Sequence, residues 1–203
     1  MIKTELIEKI LEKEWAYFSN LNNIGGRASC QDNKEEFIIM RKAQWLTFDE
    51  ETLKSYWEDL NSSRNPLFEK YARMMKYTNP SEYEERSYIL ENITPEKESL
   101  VNKIMYIYME WEKEFFLKFP IYASMGRVLY SFQDNNEETS IETYLRGELY
   151  SYSEKTLCLY LNYVDKMYKE GKNLAIENMD NIAKFQGFNN CDEVESYYKM
   201  TDN

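Results

Sequence analysis

The chain contains no histidine. That absence removes the commonest general base, the Ser–His and Cys–His dyads and the commonest transition-metal ligand. Any chemistry must run on carboxylates, cysteine, tyrosine, lysine, arginine or a bound cofactor, and no residue pattern names a cofactor or a metal. Cysteine is sparse. Cys30, Cys158 and Cys191 follow no recognisable spacing, so they build neither a disulfide framework nor a zinc site. No apolar run approaches the length that spans a bilayer, and the charged, amphipathic opening MIKTELIEKILEKEW does not read as a secretory leader. A cytoplasmic setting with reduced thiols is expected. Basic residues are outnumbered, 25 against 36 acids, for a net charge of −11. An acidic surface repels phosphate backbones and anionic bilayers, so neither nucleic acid nor membrane is expected as a partner.

Glycine (6) and proline (4) are also scarce, and they sit where helical patterns begin or end. What is present in quantity is apolar and aromatic: 43% hydrophobic residues, 16% aromatic, 18 of them tyrosine. This is ample for a core, and 203 residues fit one domain over 1–203. Apolar residues recur at helical spacing almost everywhere. Ile2, Leu6, Ile7, Ile10, Leu11, Trp15 and Phe18 mark a helix over 2–21, and further helices are expected near 30–46 and 48–60. Ser29 with Asp32, and Thr47 with Glu50, read as the capping boxes that start these two. Asn65-Pro66, Asn79-Pro80 and Thr94-Pro95 each read as an N-cap followed by proline at the first helical position. The third opens a long central helix over 95–119. Residues 120–138 are irregular, with a short hairpin allowed near 127–132. Helices resume at 140–152, 154–169, 173–186 and 191–199, and Gly171 and Gly187 suit helix ends. The expected fold is all-α, a multi-helix array around the 95–119 helix.

Three segments carry candidate chemistry. Residues 23–32, Asn-Ile-Gly-Gly-Arg-Ala-Ser-Cys-Gln-Asp, place two glycines, an arginine, a thiol and an acid between two helices. Gly25 and Gly26 let backbone approach a ligand. If the next helix starts at Ser29, Cys30 lies in its first turn, where thiolates and bound anions are stabilised. The alternative is a tight turn in which Arg27 pairs with a surface acid and Cys30 is a small filler. The second segment is Glu142 to Leu149, with Tyr144, Arg146, Gly147 and Glu148. Gly147 interrupts a helical pattern, which suits close backbone approach or a helix crossing. The third is Arg64 just before a helix start, and Arg127 lies beside Gly126 in the irregular stretch. Arginines near loops of an acidic protein are candidates for an anion site. Glu110/Glu114 and Glu84/Glu85 are too ordinary among 36 acids to indicate a metal.

Residues 23–32, Phe37, 40–45, Arg64-Asn65, 69–75, 139–149 and Tyr152-Ser153 resemble an uncharacterised bacterial domain family of unknown function. The resemblance covers most of 15–165. It implies that the three segments form one site, and it implies no chemistry. The leading reading is a small-molecule enzyme or ligand-binding domain for a carboxylate- or phosphate-bearing ligand. Cys30 is the candidate nucleophile, with Asp32 or Glu148 as base. Asn23, Gly25, Gly26, Arg27, Gln31, Arg64, Arg127, Tyr144 and Arg146 are the candidate ligand contacts. The rival reading is a non-catalytic helical interaction or assembly module. A homodimer through an aromatic helix face is open.

Overall fold

Apolar stripes at helical spacing have to be buried against one another. The computed structural model describes residues 2–22, 26–62 and 64–201, the side chain of Arg86 excepted. Among them are eleven α-helices and no strand. They are α1 (Lys3–Phe18), α2 (Lys34–Leu46), α3 (Glu50–Leu60), α4 (Pro66–Thr78), α5 (Pro80–Arg86), α6 (Pro95–Lys118), α7 (Pro120–Ser124), α8 (Ile141–Ser151), α9 (Glu154–Lys169), α10 (Leu174–Phe185) and α11 (Cys191–Thr201). The longest, α6, packs on α8, α9 and α10. α1 packs on α2, α3 and α4, and α4 lies along α8. The main core joins Leu6, Ile10, Trp45, Leu53, Ile104, Trp111, Leu157 and Leu174. A second core, with Phe115, Phe119, Tyr122 and Val194, seats α11 against α7 and α10 beside the end of α6. No helix of the described residues is long and apolar enough to cross a membrane.

Helix starts follow cap chemistry. Asn65 Oδ1 accepts from the Leu67 and Phe68 amides, and Thr94 Oγ1 accepts from Lys97 N. Two expected starts are corrected. α2 begins at Lys34, where Asn33 accepts from Glu36 N and donates to the Glu36 carboxylate. Ser29–Asp32 forms only a short 3-10 turn, because Arg27 takes the Asp32 carboxylate that would have capped it. α3 begins at Glu50, capped by Asp49, because the Thr47 hydroxyl turns back to Gln44 O at the end of α2. The expected hairpin near 127–132 does not form. Residues 131–133 make a 3-10 turn, and Ile141 N and Glu142 N bond back to Val128 O and Leu129 O. α7 was not foreseen; Glu195 of α11 accepts its first amides, from Ile121 and Tyr122. Gly171 and Gly187 adopt positive φ just past α9 and α10.

The α4–α8 crossing depends on Gly147. A Cβ there would lie 2.9 Å from Met74 Cγ and 3.1 Å from the Lys70 carbonyl. This contact brings the backbone of α4 onto α8 and sets Lys70 beside Glu148. Gly147→Ala should lower stability by about 1 kcal/mol despite alanine's better helix propensity, and Gly147→Val by more. Urea unfolding measures it. An alanine variant as stable as the parent would contradict so close a crossing.

Candidate functional site

Two carboxylates and two cations meet in the interior. Glu14 (α1), Arg41 (α2), Lys70 (α4) and Glu148 (α8) are all buried. Arg41 lies between the acids. Its Nε and Nη2 donate to Glu14 at 3.0 and 2.6 Å, and its Nη1 donates to both Glu148 oxygens at 2.9 and 3.1 Å. Lys70 Nζ donates to Glu148 at 2.6 Å. Neutral donors fill the remaining lone pairs. Glu14 also accepts from Trp45 Nε1 (3.0 Å) and the Tyr56 hydroxyl (2.8 Å). Glu148 also accepts from Gln44 Nε2 (2.8 Å) and the Tyr152 hydroxyl (2.7 Å). Burial pushes the Glu148 carboxyl up, but Arg41 and Lys70 outweigh it and hold the group well below the usual carboxylate range. Burial alone would lower Arg41; Glu14 and Glu148 drive it well above its ordinary value instead.

This network forms part of the wall of a cavity of about 430 Å³. The rest of the wall is mostly aromatic and aliphatic: Phe18, Phe37, Tyr71, Tyr108, Phe115, Tyr144 and Tyr160, with Leu145, Leu174 and Ile182. Exposed residues that also line it, Cys30, Asn33, Glu36, Met40, Gly126 and Arg127, place its mouth between the start of α2 and the loop after α7. Arg127 lies with its guanidinium carbon 4.7 Å from the Tyr144 ring centroid and donates one bond, to Thr139 O at 3.0 Å. Lys70 Nζ lies 3.6 Å from the same ring centroid. Burial raises Tyr144, but Lys70 and Arg41 together bring its hydroxyl below the ordinary tyrosine value. Tyr71, without that balance, is raised by burial and then by Tyr144. The arrangement can surround an apolar body, meet an anionic group at Arg127 and exchange a proton at Tyr144.

Glu112 of α6 also lines the cavity. Among the described residues it has no hydrogen bond and no ion pair. Burial alone pushes its carboxyl up to about 7. Asn178 of α10 lines the same cavity, and its buried Oδ1 has no partner.

The three segments noted in the sequence do converge, in part through the expected side chains, since Cys30, Arg127, Tyr144 and Glu148 line the cavity. Cys30, Arg41, Gln44, Tyr71, Tyr144 and Glu148 share the cavity. Arg27, Arg64 and Arg146 do not line it, and each has its own partners. Arg27 donates to Asp32, Ser19 O and Gln31 O. Arg64 pairs with Glu69 and with Glu91. Arg146 donates to Asn102 at 2.7 Å. Gln31 is buried, and its amide braces the turn by donating to Phe18 O and Leu21 O and accepting from Ala28 N. Asn23 and Gly25 lie outside the described residues. Gly26 has φ +90° in an exposed turn with nothing near its Cβ direction. Asp32 is exposed and paired with Arg27. Glu148 is saturated with donors and held ionised, which makes it a fixed anion and a weak base. Cys30 is exposed at the mouth, in the short 3-10 turn Ser29–Asp32 and not in the first turn of α2, which weakens the amide argument for an activated thiol. Of the other two thiols, Cys158 is exposed and Cys191 is buried. Glu110 pairs with Lys113 and Glu114 with Asn173, and no group of three acidic or thiol side chains among the described residues could hold a metal ion.

Glu14, Arg41, Lys70 and Glu112 were missed as functional residues. A signal existed: Glu14 continues the Ile7, Leu11 stripe at the next turn, and Glu112, itself half-buried, lies one turn from the buried Tyr108 and Phe115 of α6. A charge on an apolar stripe marks a buried polar group that needs a partner.

Removing one member of the network should be costly. Glu148→Gln is expected to lose about 3–5 kcal/mol, because Lys70 and Arg41 then bury excess charge. Lys155→Met, which breaks an exposed pair with Glu58, should change stability by less than about 1 kcal/mol. Equal losses in the two variants would refute the distinction. Glu112 carries the opposite sign. Its folded-state pKa is raised from 4.5 to about 7, so ionisation penalises the fold as pH climbs through that window, and the penalty is complete above it. Glu112→Gln should be near neutral at pH 4.5 and stabilising by about 1–3 kcal/mol at pH 8. Thermal unfolding at the two pH values decides, and a pH-independent difference would show that Glu112 is solvated.

No curated protein and no solved structure matches the chain. One family does, along residues 4–196, nearly the full length, and with that match the chain belongs to the family described as protein of unknown function (DUF4125).

Proposed function

We propose that this protein binds a small molecule bearing a carboxylate or phosphate, and that the ligand occupies the cavity between α2, α6, α8 and α10. The observation that carries this reading is the Arg127 guanidinium at the mouth. It is stacked on Tyr144 and bonded to a single carbonyl, so most of its donors face outward from a wall that is otherwise aromatic. A cavity of this size lined by apolar rings with few polar groups is the usual form of a small-molecule site. Guanidinium binds carboxylate and phosphate through paired donors.

Specificity divides between these parts. The rings around Phe37, Tyr71 and Tyr108 recognise an apolar or aromatic body by contact area. Arg127 fixes which end of the ligand faces solvent. Lys70 and Arg41 do not compete for the anion, because Glu14 and Glu148 already neutralise them. If the site turns over a substrate, Tyr144 is the group prepared for proton transfer, since Lys70 and Arg41 favour its phenolate.

A titration with 4-phenylbutyrate, followed by isothermal calorimetry, tests the reading. Binding is expected to the parent protein, at least tenfold weaker in Arg127→Ala and unchanged in Arg146→Ala. Equal affinity in Arg127→Ala, or no binding to the parent, would overturn it.

A further inference from the structure

We propose that the α6–α10 wall of this cavity is a subsite for an organic ammonium group, with Glu112 as its counter-ion and the neighbouring rings as its cage. The inference rests on the reading of the cavity as the ligand site and adds the second charge that the ligand carries.

Glu112 is a half-buried carboxylate in the cavity wall, and among the described residues no cation and no hydrogen-bond donor meets it. Every other carboxylate that lines the cavity is satisfied: Glu148 by Arg41, Lys70, Gln44 and Tyr152, and Glu36 by Asn33. An acid left unpartnered in so apolar a place is costly unless something else meets it. Its neighbours along α6, Tyr108, Phe115 and Phe116, line the same wall. Ring faces attract cations, and a carboxylate among aromatic rings is a fitting receptor for an ammonium carried on an apolar body. Asn178 of the facing helix lines the same wall, and its buried Oδ1 has no partner. An inorganic divalent ion fits poorly, since it asks for six or more oxygen ligands and no group of three acids is present among the described residues. Burial raises the Glu112 carboxyl to about 7, so the free protein holds this group between its two protonation states near neutral pH. An incoming ammonium would favour the ionised one.

The test uses three probes of one skeleton, 4-phenylbutylamine, 4-phenylbutyrate and 4-phenylbutanol, titrated calorimetrically at pH 8 into the parent, Glu112→Gln and Arg127→Ala. Loss of a buried charge leaves the glutamine variant folded, which circular dichroism checks. The amine is expected to bind the parent at least tenfold more tightly than the alcohol, and to lose that advantage in Glu112→Gln while keeping it in Arg127→Ala. An amine that binds no better than the alcohol, or equally well to Glu112→Gln, overturns the ammonium subsite. If the butyrate still binds through Arg127 in that case, the anion reading stands alone. If the amine binds through Glu112 and the butyrate does not bind, the anion reading falls and the subsite stands. No binding of any probe overturns both.

Discussion

A guanidinium shared between two buried carboxylates holds the centre of this protein. Arg41 reaches Glu14 on one side and Glu148 on the other, and Lys70 supplies the fourth charge. The four belong to α1, α2, α4 and α8, so the network ties together helices that are far apart in the chain. Its charges cancel, and nine hydrogen bonds saturate the two acids. Such a network adds little net stability over an apolar core of equal volume, but it tolerates no partial loss. It therefore specifies how these helices sit. The close approach at Gly147 is part of the same constraint, because it places Lys70 within reach of Glu148.

The network also decides which polar groups of the cavity are free to meet a ligand. One cation and one acid in the wall, Arg41 and Glu148, are already neutralised. What is left over is asymmetric: a mostly unbonded guanidinium at the mouth, a tyrosine whose hydroxyl is pulled down by nearby cations, and a carboxyl that nothing meets. Around them are rings. The proposed recognition of a small amphipathic molecule rests on that remainder, with apolar contact giving affinity and the few unmatched polar groups giving orientation.

The helices were legible because caps and stripes are local. Asn65-Pro66, Thr94-Pro95 and the α6 stripe each carry their signal within a few residues, and the structure uses them. Where two local signals competed, the reading failed. Thr47 could cap α3 or close α2, and it closes α2. Ser29 and Asp32 could cap a helix, but Arg27 reaches Asp32 across the turn. Cys158 stands next to the buried Leu157 in sequence, yet helical rotation turns it to solvent. The site was legible as segments and, for Cys30, Arg127, Tyr144 and Glu148, as side chains, but not for the rest. Residues 40–45, 69–75 and 143–149 do meet, because α2, α4 and α8 pack together. Of the arginines chosen for standing beside loops, Arg27 and Arg64 found local acids and Arg127 found a carbonyl, whereas Arg41, within a helix, found partners 27 and 107 residues away. Pairing at that range leaves no trace in spacing.

The most direct test of the central claim is a double-mutant cycle between Glu14 and Lys70. No hydrogen bond or ion pair joins these two, and Arg41 and Glu148 stand between them. If the four act as one neutral unit, removing an anion and a cation together should cost clearly less than the two separate losses. Urea unfolding of Glu14→Gln, Lys70→Met and the double variant is predicted to give a coupling of about 1 kcal/mol or more. Additivity within about 0.5 kcal/mol would contradict the account, because the two ends would then be independent ion pairs.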